Sequence, residues 1–139
     1  MSAELPDVDL TKASAFVAAS GFVVTEAGGR RVVGHVDLGP DQHTPWGVVH
    51  GGVYCTVVES AASIGASAAV IEHGQFAVGV DNSTSFLRPM VTGRIDVVAE
   101  PIQQGRTLQL WQVLLSRAED GKLVARGQVR LQNVALPGS

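Results

Sequence analysis

Residues 45–71 read P-W-G-V-V-H-G-G-V-Y-C-T-V-V-E-S-A-A-S-I-G-A-S-A-A-V-I, a short turn followed by a long stretch without proline. At about 100° per residue, the stretch 53–71 predicts an α-helix with an apolar stripe that faces the core. Glu59 is the only charged side chain between His50 and Glu72, and it lies nearly opposite the stripe. The stripe comprises Val53, Val57, Ala61, Ile64, Ala68 and Ile71.

Small residues surround Glu59 on its side of the predicted helix. Cys55, Ala62 and Ala66 share this lane, where a solvent-facing helix would normally carry several charged side chains. We therefore expect another layer or another subunit to cover it. A carboxylate in such surroundings suits a general base or a nucleophile. The structural alternative is a salt-bridged or half-exposed glutamate without a chemical role.

The turn before the helix predicts a site for a polarised carbonyl group. Gly51 and Gly52 let the backbone approach a ligand closely, and the first N–H groups of a helix have no acceptor within it. A carbonyl held by these amides, with a carboxylate further along the helix, is a layout for acyl transfer. His50 either orients the substrate or makes a structural hydrogen bond in the turn.

Composition limits the possible classes of function. The 139 residues are 45% hydrophobic and 17% charged, which predicts a single domain, and such an apolar chain is expected to self-associate. A net charge of −3 argues against a nucleic-acid partner, and we expect neither a membrane segment nor a secretion signal. The single cysteine, Cys55, fits a reducing cytoplasm. The four histidines show no metal-ligand spacing, so no metal is expected.

The rest of the chain predicts one short helix and several strands. Residues 1–8 are expected to be frayed, and polar side chains at 81–85 suggest contact with a ligand or partner. In the last strands, Leu108 and Leu110 alternate with Gln109, and Val129 and Leu131 alternate with Arg130 and Gln132, which is typical of a sheet with one covered face. We therefore predict an α+β fold in which an antiparallel sheet of five to six strands curls around one long helix. The predicted elements are a helix at 10–19 and strands at 22–25, 30–38, 76–87, 94–100, 108–117 and 122–134, with turns at 27–29, 103–106 and 119–121 and a loop at 40–46.

Three motifs resemble those of the hotdog-fold thioesterases. They are H-G-G-V-Y-C-T-V-V-E-S at 50–60, V-D-N-S-T-S-F-L-R-P at 80–89 and G-R-T-L at 105–108, and the resemblance spans about residues 20–134. The sequence is most similar to the PaaI-like group, including 4-hydroxybenzoyl-CoA thioesterases with their acid on the central helix.

The resemblance implies an oligomer with active sites at the subunit boundary. Two sheets would join edge to edge in a homodimer, and dimers would usually pair into a homotetramer. The family's oxyanion amide falls on Gly51, with His50 beside it. The catalytic acid falls on Glu59, and the hydroxyl residue one turn later, which helps to place water, falls on Ser63.

The resemblance also implies substrate-binding positions, and two positions depart from the family pattern. Relatives carry Asn or Gln where this chain has Thr44, and some carry a polar residue where it has Gly79; either change would slow hydrolysis or shift substrate preference. Gln42 and His43 are the candidates to compensate for Thr44. The predicted substrate-binding residues are Thr44, Gly52, Asp81, Arg88, Arg106 and Thr107, with the two arginines as candidates for the phosphates of coenzyme A.

Three functions are compatible with this sequence. The first is hydrolysis of an acyl-CoA thioester, with no cofactor because coenzyme A is part of the substrate. The second is acyl-CoA binding without useful turnover, and the third is a hotdog dehydratase or hydratase that uses His50 and Glu59. The acyl group is not defined by the sequence, although four aromatic residues are candidates to line its pocket, namely Trp46, Phe76, Phe86 and Trp111.

Overall fold

The computed structural model describes residues 4–138 and contains one six-stranded sheet wrapped around a long helix. All neighbouring strands are antiparallel, in the order β1-β2-β4-β5-β6-β3, so that β1 and β3 form the two edges. The predicted α+β hotdog fold is therefore confirmed. The helices are α1 (Ala15–Ala19) and α2 (Gly51–Val70), and the strands are β1 (Phe22–Gly28), β2 (Arg31–Leu38), β3 (Gln75–Phe86), β4 (Gly93–Gln104), β5 (Leu108–Arg117) and β6 (Leu123–Ala135).

The N-terminal segment differs from the single helix that we predicted at 10–19. A 3-10 turn, Leu10–Lys12, is capped by Asp9, and the backbone is extended at Ala13. α1 begins only after Ser14, whose Oγ accepts a hydrogen bond from the N–H of Val17. Two capping side chains thus divide the segment, because each favours a new helix start. Of the stretch expected to be frayed, residues 4–8 carry no helix or strand, and the first three residues lie outside the described part.

α2 packs its apolar side against the concave face of the sheet. Its buried face is rotated relative to the predicted stripe, because Val53, Ile64 and Ala68 are only half-buried whereas Ala62 and Ala66 are fully buried. The curled sheet reaches further around the helix than a flat layer would. The small-residue lane that we expected another layer or subunit to cover is therefore largely covered by the sheet of the same chain. The buried residues of α2 are Tyr54, Val57, Val58, Ala61, Ala62, Gly65, Ala66 and Val70.

The face of β5 that meets the core is opposite to the one we predicted. Gln109 is 2% exposed and lies inside, whereas Leu108 is 45% exposed on the outer face. The register is set by Trp111, Val113 and Leu115, which continue the inward series from Gln109 and are fully buried. In β6 the prediction is confirmed, since Val129 and Leu131 are buried and Arg130 is exposed.

The edge strand β3 carries apolar side chains that the chain itself leaves exposed. Val78 is 42% exposed and Val80 is 59% exposed.

The stretch Gly51–His73 is also long and apolar enough to cross a membrane by length and composition alone. Its packing inside the sheet accounts for that composition, because half of the stretch is buried in the fold.

Candidate active site

The start of α2 presents one backbone N–H group without an acceptor. His50 is the N-cap, and its Nδ1 accepts a hydrogen bond from the N–H of Gly52 at 2.8 Å. Within residues 4–138, the N–H of Gly51 donates no hydrogen bond. Of the two glycines considered as oxyanion donors, Gly51 therefore has the free amide, and His50 has the structural bond that we weighed as its alternative role.

A pocket of about 250 Å³ lies beside Gly51, between the start of α2 and the end of β3. The Tyr54 side chain forms part of its wall and packs against the ring of Phe86, with ring centroids 5.8 Å apart. The Tyr54 hydroxyl is buried and has no hydrogen-bond partner among the described residues, and this burial raises the pKa of Tyr54. The pocket is lined by Val49, Gly51, Tyr54, Phe86, Leu87, Arg88 and Pro89.

Arg88 lines the pocket and donates to a backbone carbonyl rather than to a carboxylate. Its Nη1 donates to the carbonyl oxygen of Leu123 at 2.6 Å. Among the described residues it forms no ion pair, and Asp81 is exposed on β3. The guanidinium group therefore retains donors that can meet an anionic ligand near Gly51.

Glu59 is half-buried and faces β3. Its Oε1 accepts a hydrogen bond from Nδ2 of Asn82 at 3.1 Å, and the same nitrogen donates to the carbonyl oxygen of Cys55 at 3.1 Å. Its Oε2 lies against Gly79, in the space that a side chain at residue 79 would occupy. Gly79, one of the two positions at which this chain departs from the family pattern, therefore leaves room for the Glu59 carboxylate.

Gly51 and Glu59 do not lie close enough together in one chain to share a substrate carbonyl. They are eight residues apart on the same helix, which corresponds to about 12 Å along the helix axis. An oxyanion donor and an attacking group must each come within about 3 Å of adjacent atoms of one carbonyl. As candidate site residues, Gly51 and Glu59 of one chain are therefore two separate halves and do not form one closed site.

The side chains that were candidates near the carbonyl are already engaged by backbone groups. Thr44 Oγ1 accepts from the N–H of Trp46 at 3.1 Å. Gln42 Nε2 donates to the carbonyl oxygen of Ser20 at 2.8 Å, and His43 Nε2 lies 2.7 Å from the carbonyl oxygen of Val91. Neither side chain is free to replace the missing family amide. Ser63 is half-buried one turn beyond Glu59.

Arg106 and Thr107 lie at the opposite end of α2 from Gly51. They occupy the turn between β4 and β5, and Arg106 lines a cleft with Val70 and His73. Since α2 has twenty residues, the two ends are separated by roughly 28 Å. The structure does not bring Arg106 to the same place as Arg88 within one chain.

Two polar features of the interior were missed in the sequence. Asn82 belongs to the polar stretch 81–85, but nothing in the sequence singled it out over Asp81. Gln109 Nε2 donates to the Ala66 carbonyl at 2.9 Å and to Asn133 Oδ1 at 2.8 Å, and Asn133 in turn donates to the carbonyl of Arg106 at 3.1 Å. This network fixes the β4–β5 turn against α2. The one sequence signal for it is that Gln109 alternates in phase with the three buried residues of β5.

The candidate aromatic residues have different surroundings. Trp111 is fully buried and belongs to the core, whereas Trp46 is 90% exposed at the tip of its loop. A separate cleft of about 360 Å³ adjoins His50 and Thr56, with Phe16 on its wall.

Within residues 4–138, no group of three or more His, Cys, Asp or Glu side chains is arranged to hold a metal ion.

An antiparallel sheet around one helix, with a carboxylate on the helix and a free amide at its start, is the framework of the hotdog-fold thioesterases. The Thioesterase superfamily model matches residues 47–124, more than half of the sequence, and the chain belongs to this superfamily.

Relatives in several organisms support this assignment. The Mycobacterium tuberculosis protein Rv1847, which carries a provisional name as an esterase, is 44% identical over 116 residues that cover 82% of each chain. Its solved structure has a TM-score of 0.84 and covers 88% of this chain and 98% of that one, at 41% identity. The Arabidopsis thaliana 1,4-dihydroxy-2-naphthoyl-CoA thioesterase 2 is 38% identical over 71% of this chain and 62% of its own. The Haemophilus influenzae thioesterase HI1161 has a TM-score of 0.83 at 27% identity, covering 99% and 97% of the two chains.

Proposed function

We propose that the protein is an acyl-CoA thioesterase that releases a free acid and coenzyme A. The observation that carries this proposal is the Glu59 carboxylate, which α2 and β3 hold in place within a chain of the thioesterase superfamily. A relative named as a thioesterase of an aromatic acyl-CoA supports the class of substrate.

The chemistry assigns one role to each half of the site. The Gly51 N–H donates to the thioester carbonyl oxygen and stabilises the negative charge that develops on it. Glu59 takes a proton from water, whose oxygen attacks the carbonyl carbon. The C–S bond then breaks, and the proton passes to the leaving thiolate. In the alternative route, the Glu59 carboxylate attacks the carbon directly, the C–S bond breaks and releases the thiolate of coenzyme A, and water then hydrolyses the resulting anhydride to the free acid and the Glu59 carboxylate.

The two halves would combine across a subunit boundary. Because Gly51 and Glu59 of one chain are about 12 Å apart along α2, we propose that Gly51 of one chain works with Glu59 of a second. The exposed apolar edge of β3 lies next to Glu59 and provides the surface along which two sheets would pair. The active species would be a homodimer or a pair of dimers.

A second candidate function is acyl-CoA binding without useful turnover. It is favoured by the hydrogen bonds that engage Thr44, Gln42 and His43 with backbone groups, because none of the three side chains then replaces the family amide that places the carbonyl or the water. A dehydratase is less well supported. His50 Nδ1 is already bonded to the Gly52 amide, and His50 and Glu59 are roughly 13 Å apart along one helix.

The test is thiol release from a panel of acyl-CoA thioesters, aromatic and aliphatic. Wild type is expected to release thiol, and Glu59→Gln should reduce kcat by at least about a hundredfold while binding persists. Glu72→Gln is the matched control, because Glu72 is an exposed glutamate just beyond the end of α2 and should leave the rate unchanged. Binding without thiol release would support the second function, and a change in enoyl absorbance would support the dehydratase. Near-normal turnover by a folded Glu59→Gln variant would exclude Glu59 as the acid.

A further inference from the structure

We propose that Asn82 is a positioning residue that holds Oε1 of Glu59 and leaves Oε2 as the oxygen that reacts. This inference rests on the proposed function, in which Glu59 is the acid. Three observations support it. The Asn82 amide donates to Glu59 Oε1, the same amide donates to the Cys55 carbonyl, and Gly79 has no side chain in the space that Glu59 Oε2 occupies.

The hydrogen bonds of Asn82 determine the orientation of its amide group. Nδ2 faces the Cys55 carbonyl and the Glu59 carboxylate, both at 3.1 Å, and these groups only accept hydrogen bonds. Both N–H groups of the amide are therefore used. On the other side, Thr84 Oγ1 donates to Asn82 Oδ1 at 2.7 Å. The amide cannot flip without losing three contacts, so it holds Oε1 in one place.

The strand beside Glu59 is irregular at the point where this contact forms. The pairing of β3 with β6 shifts register between Gly79 and Asp81, which leaves Val80 as an extra residue. Such a bulge changes which way the following side chains point, and here Asn82 contacts α2. Gly79 itself is exposed, and Oε2 of Glu59 lies where its side chain would be. Oε2 thus lies at the open edge of β3, whereas Oε1 is already bonded.

A held carboxylate differs from a free one in the geometry of its reaction. A Glu side chain has several rotatable bonds, and small errors in the position of a reacting group reduce rates steeply. Bonding of Oε1 fixes the plane of the carboxylate and directs Oε2 toward the strand edge. This edge is where a second chain and its bound substrate would lie in the proposed assembly.

The first test compares two substitutions for which a packing role and a hydrogen-bonding role predict opposite orders of activity. Asn82→Asp keeps the shape but replaces the donor with an acceptor that repels Glu59, whereas Asn82→Ala removes the amide group and with it both the donor and its packing. We expect kcat to fall by roughly tenfold or more in Asn82→Ala, with KM within about twofold, and to fall further in Asn82→Asp. Gln128→Ala, which removes an exposed amide side chain from the neighbouring strand β6, should match wild type. An Asn82→Asp variant as active as Asn82→Ala or better would overturn the proposal, since a packing role alone favours the isosteric residue.

The second test uses Gly79. Its backbone is not in the left-handed region, so alanine is compatible with the local conformation. A Cβ at this position would nevertheless displace Oε2. Gly79→Ala should therefore lower kcat by roughly tenfold or more with little change in the melting temperature. An unchanged kcat in a folded Gly79→Ala variant would show that Oε2 is not the reacting oxygen.

A stability measurement separates this inference from the proposed function. Melting temperatures of Asn82→Ala, Glu59→Ala and the double variant form a double-mutant cycle that does not depend on activity. If Asn82 holds Glu59, the double variant should lose less stability than the sum of the single losses. Additive losses would overturn the inference even if the wild type is a thioesterase. If the wild type hydrolyses no thioester, the proposed function fails, and the cycle alone decides whether Asn82 fixes the carboxylate.

Discussion

The ring of Phe86 occupies the space into which a side chain at Gly51 would project. A Cβ at residue 51 would meet three atoms of this ring at distances that real structures do not allow. We predict that Gly51→Ala forces the ring away from Tyr54 and lowers stability by about 1–3 kcal/mol, as overpacking generally does. Thermal unfolding measures this loss. Gly39→Ala is the control, because no atom lies within 4 Å of the added methyl group and φ is −162° there.

The same contact allows the Gly51 amide to be tested without a clash. In a Phe86→Ala background, the space beside residue 51 is open, so both alanine and proline should be accommodated at this first helical position. The two side chains differ in one relevant respect, since proline has no N–H. We predict that Gly51→Pro with Phe86→Ala loses about a hundredfold or more in kcat relative to Gly51→Ala with Phe86→Ala, the scale of one oxyanion donor. Equal rates would remove Gly51 as the donor.

Arg106 is predicted to contact the phosphates of coenzyme A, although it lies far from Gly51 of its own chain. Arg106→Ala should raise KM for acyl-CoA several-fold with kcat little changed, because such a contact is equal in the ground and transition states. The effect should weaken with salt and should vanish for a thioester of a short uncharged thiol. Arg126→Ala, which removes an exposed arginine from the outside of the sheet, is the control. Equal loss on both substrates would assign Arg106 a structural role.

Tyr54 offers a prediction about alkaline pH, because burial raises the pKa of its phenol. The folded state then binds the proton more tightly than the unfolded state does. Stability is therefore present below the ordinary tyrosine pKa near 10 and is lost as pH rises above it. Tyr54 is the only tyrosine in the sequence, so its titration can be followed by ultraviolet absorbance without overlap from another phenol.

The matched substitution at this position is Tyr54→Phe. Because the hydroxyl group is buried and has no partner within residues 4–138, its removal should leave the melting temperature at pH 7 unchanged or raise it. The variant should also lose less stability than wild type between pH 9 and 11, a window set around the ordinary tyrosine value. A drop of several degrees at pH 7 would indicate that the hydroxyl has a partner in solution.

The general architecture could be predicted because it depends on local patterns. Proline-free apolar residues around Glu59 indicated α2, and the Gly-containing turns indicated antiparallel strands. The exact faces could not be predicted, since they depend on how far the sheet curls. Ala62 is buried by this curvature, and Gln109 lies inside because Trp111 and its successors fix the register of β5. The alternation of residues along one strand shows which side chains share a face, but it does not show which of the two faces meets the core.

The site could be predicted only where a residue acts through its own chemical character. Glu59 was singled out as an isolated charge and Gly51 as a helix-start amide. Asn82 contacts Glu59 because of a bulge at Val80, which no periodic pattern reveals. Gly79 was interpreted as a loss of a polar group, whereas its missing side chain makes room for Glu59. Long-range contacts of this kind depend on strand pairing rather than on sequence spacing.

The exposed edge of β3 predicts self-association. A long unpaired edge with Val78 and Val80 exposed is the type of surface that pairs with another chain. Light scattering at micromolar concentration should report the mass of two or four chains. Val80→Lys should shift the mass toward one chain, because a charge on the edge opposes pairing. Val23→Lys, on the opposite edge strand β1 and similarly exposed at 44%, should have less effect on a β3-paired dimer. A monomeric wild type would contradict the shared site as well.

Mixing two inactive variants would establish whether two chains complete one site. One variant is Glu59→Gln, and the other combines Gly51→Pro with Phe86→Ala; each alone should be nearly inactive. In a two-fold dimer formed from both, one site would contain an intact Gly51 from the first chain and an intact Glu59 from the second. The intact site also contains the wild-type Phe86 beside that Gly51. Since half of randomly mixed dimers are hybrids and each has one intact site of two, co-refolding should restore roughly a quarter of the wild-type activity. Restoration should rise with the hybrid fraction, measured by native mass spectrometry. If Gly51 and Glu59 of the same chain form the site, hybrids contain no intact pair, and activity stays at the level of the separate variants.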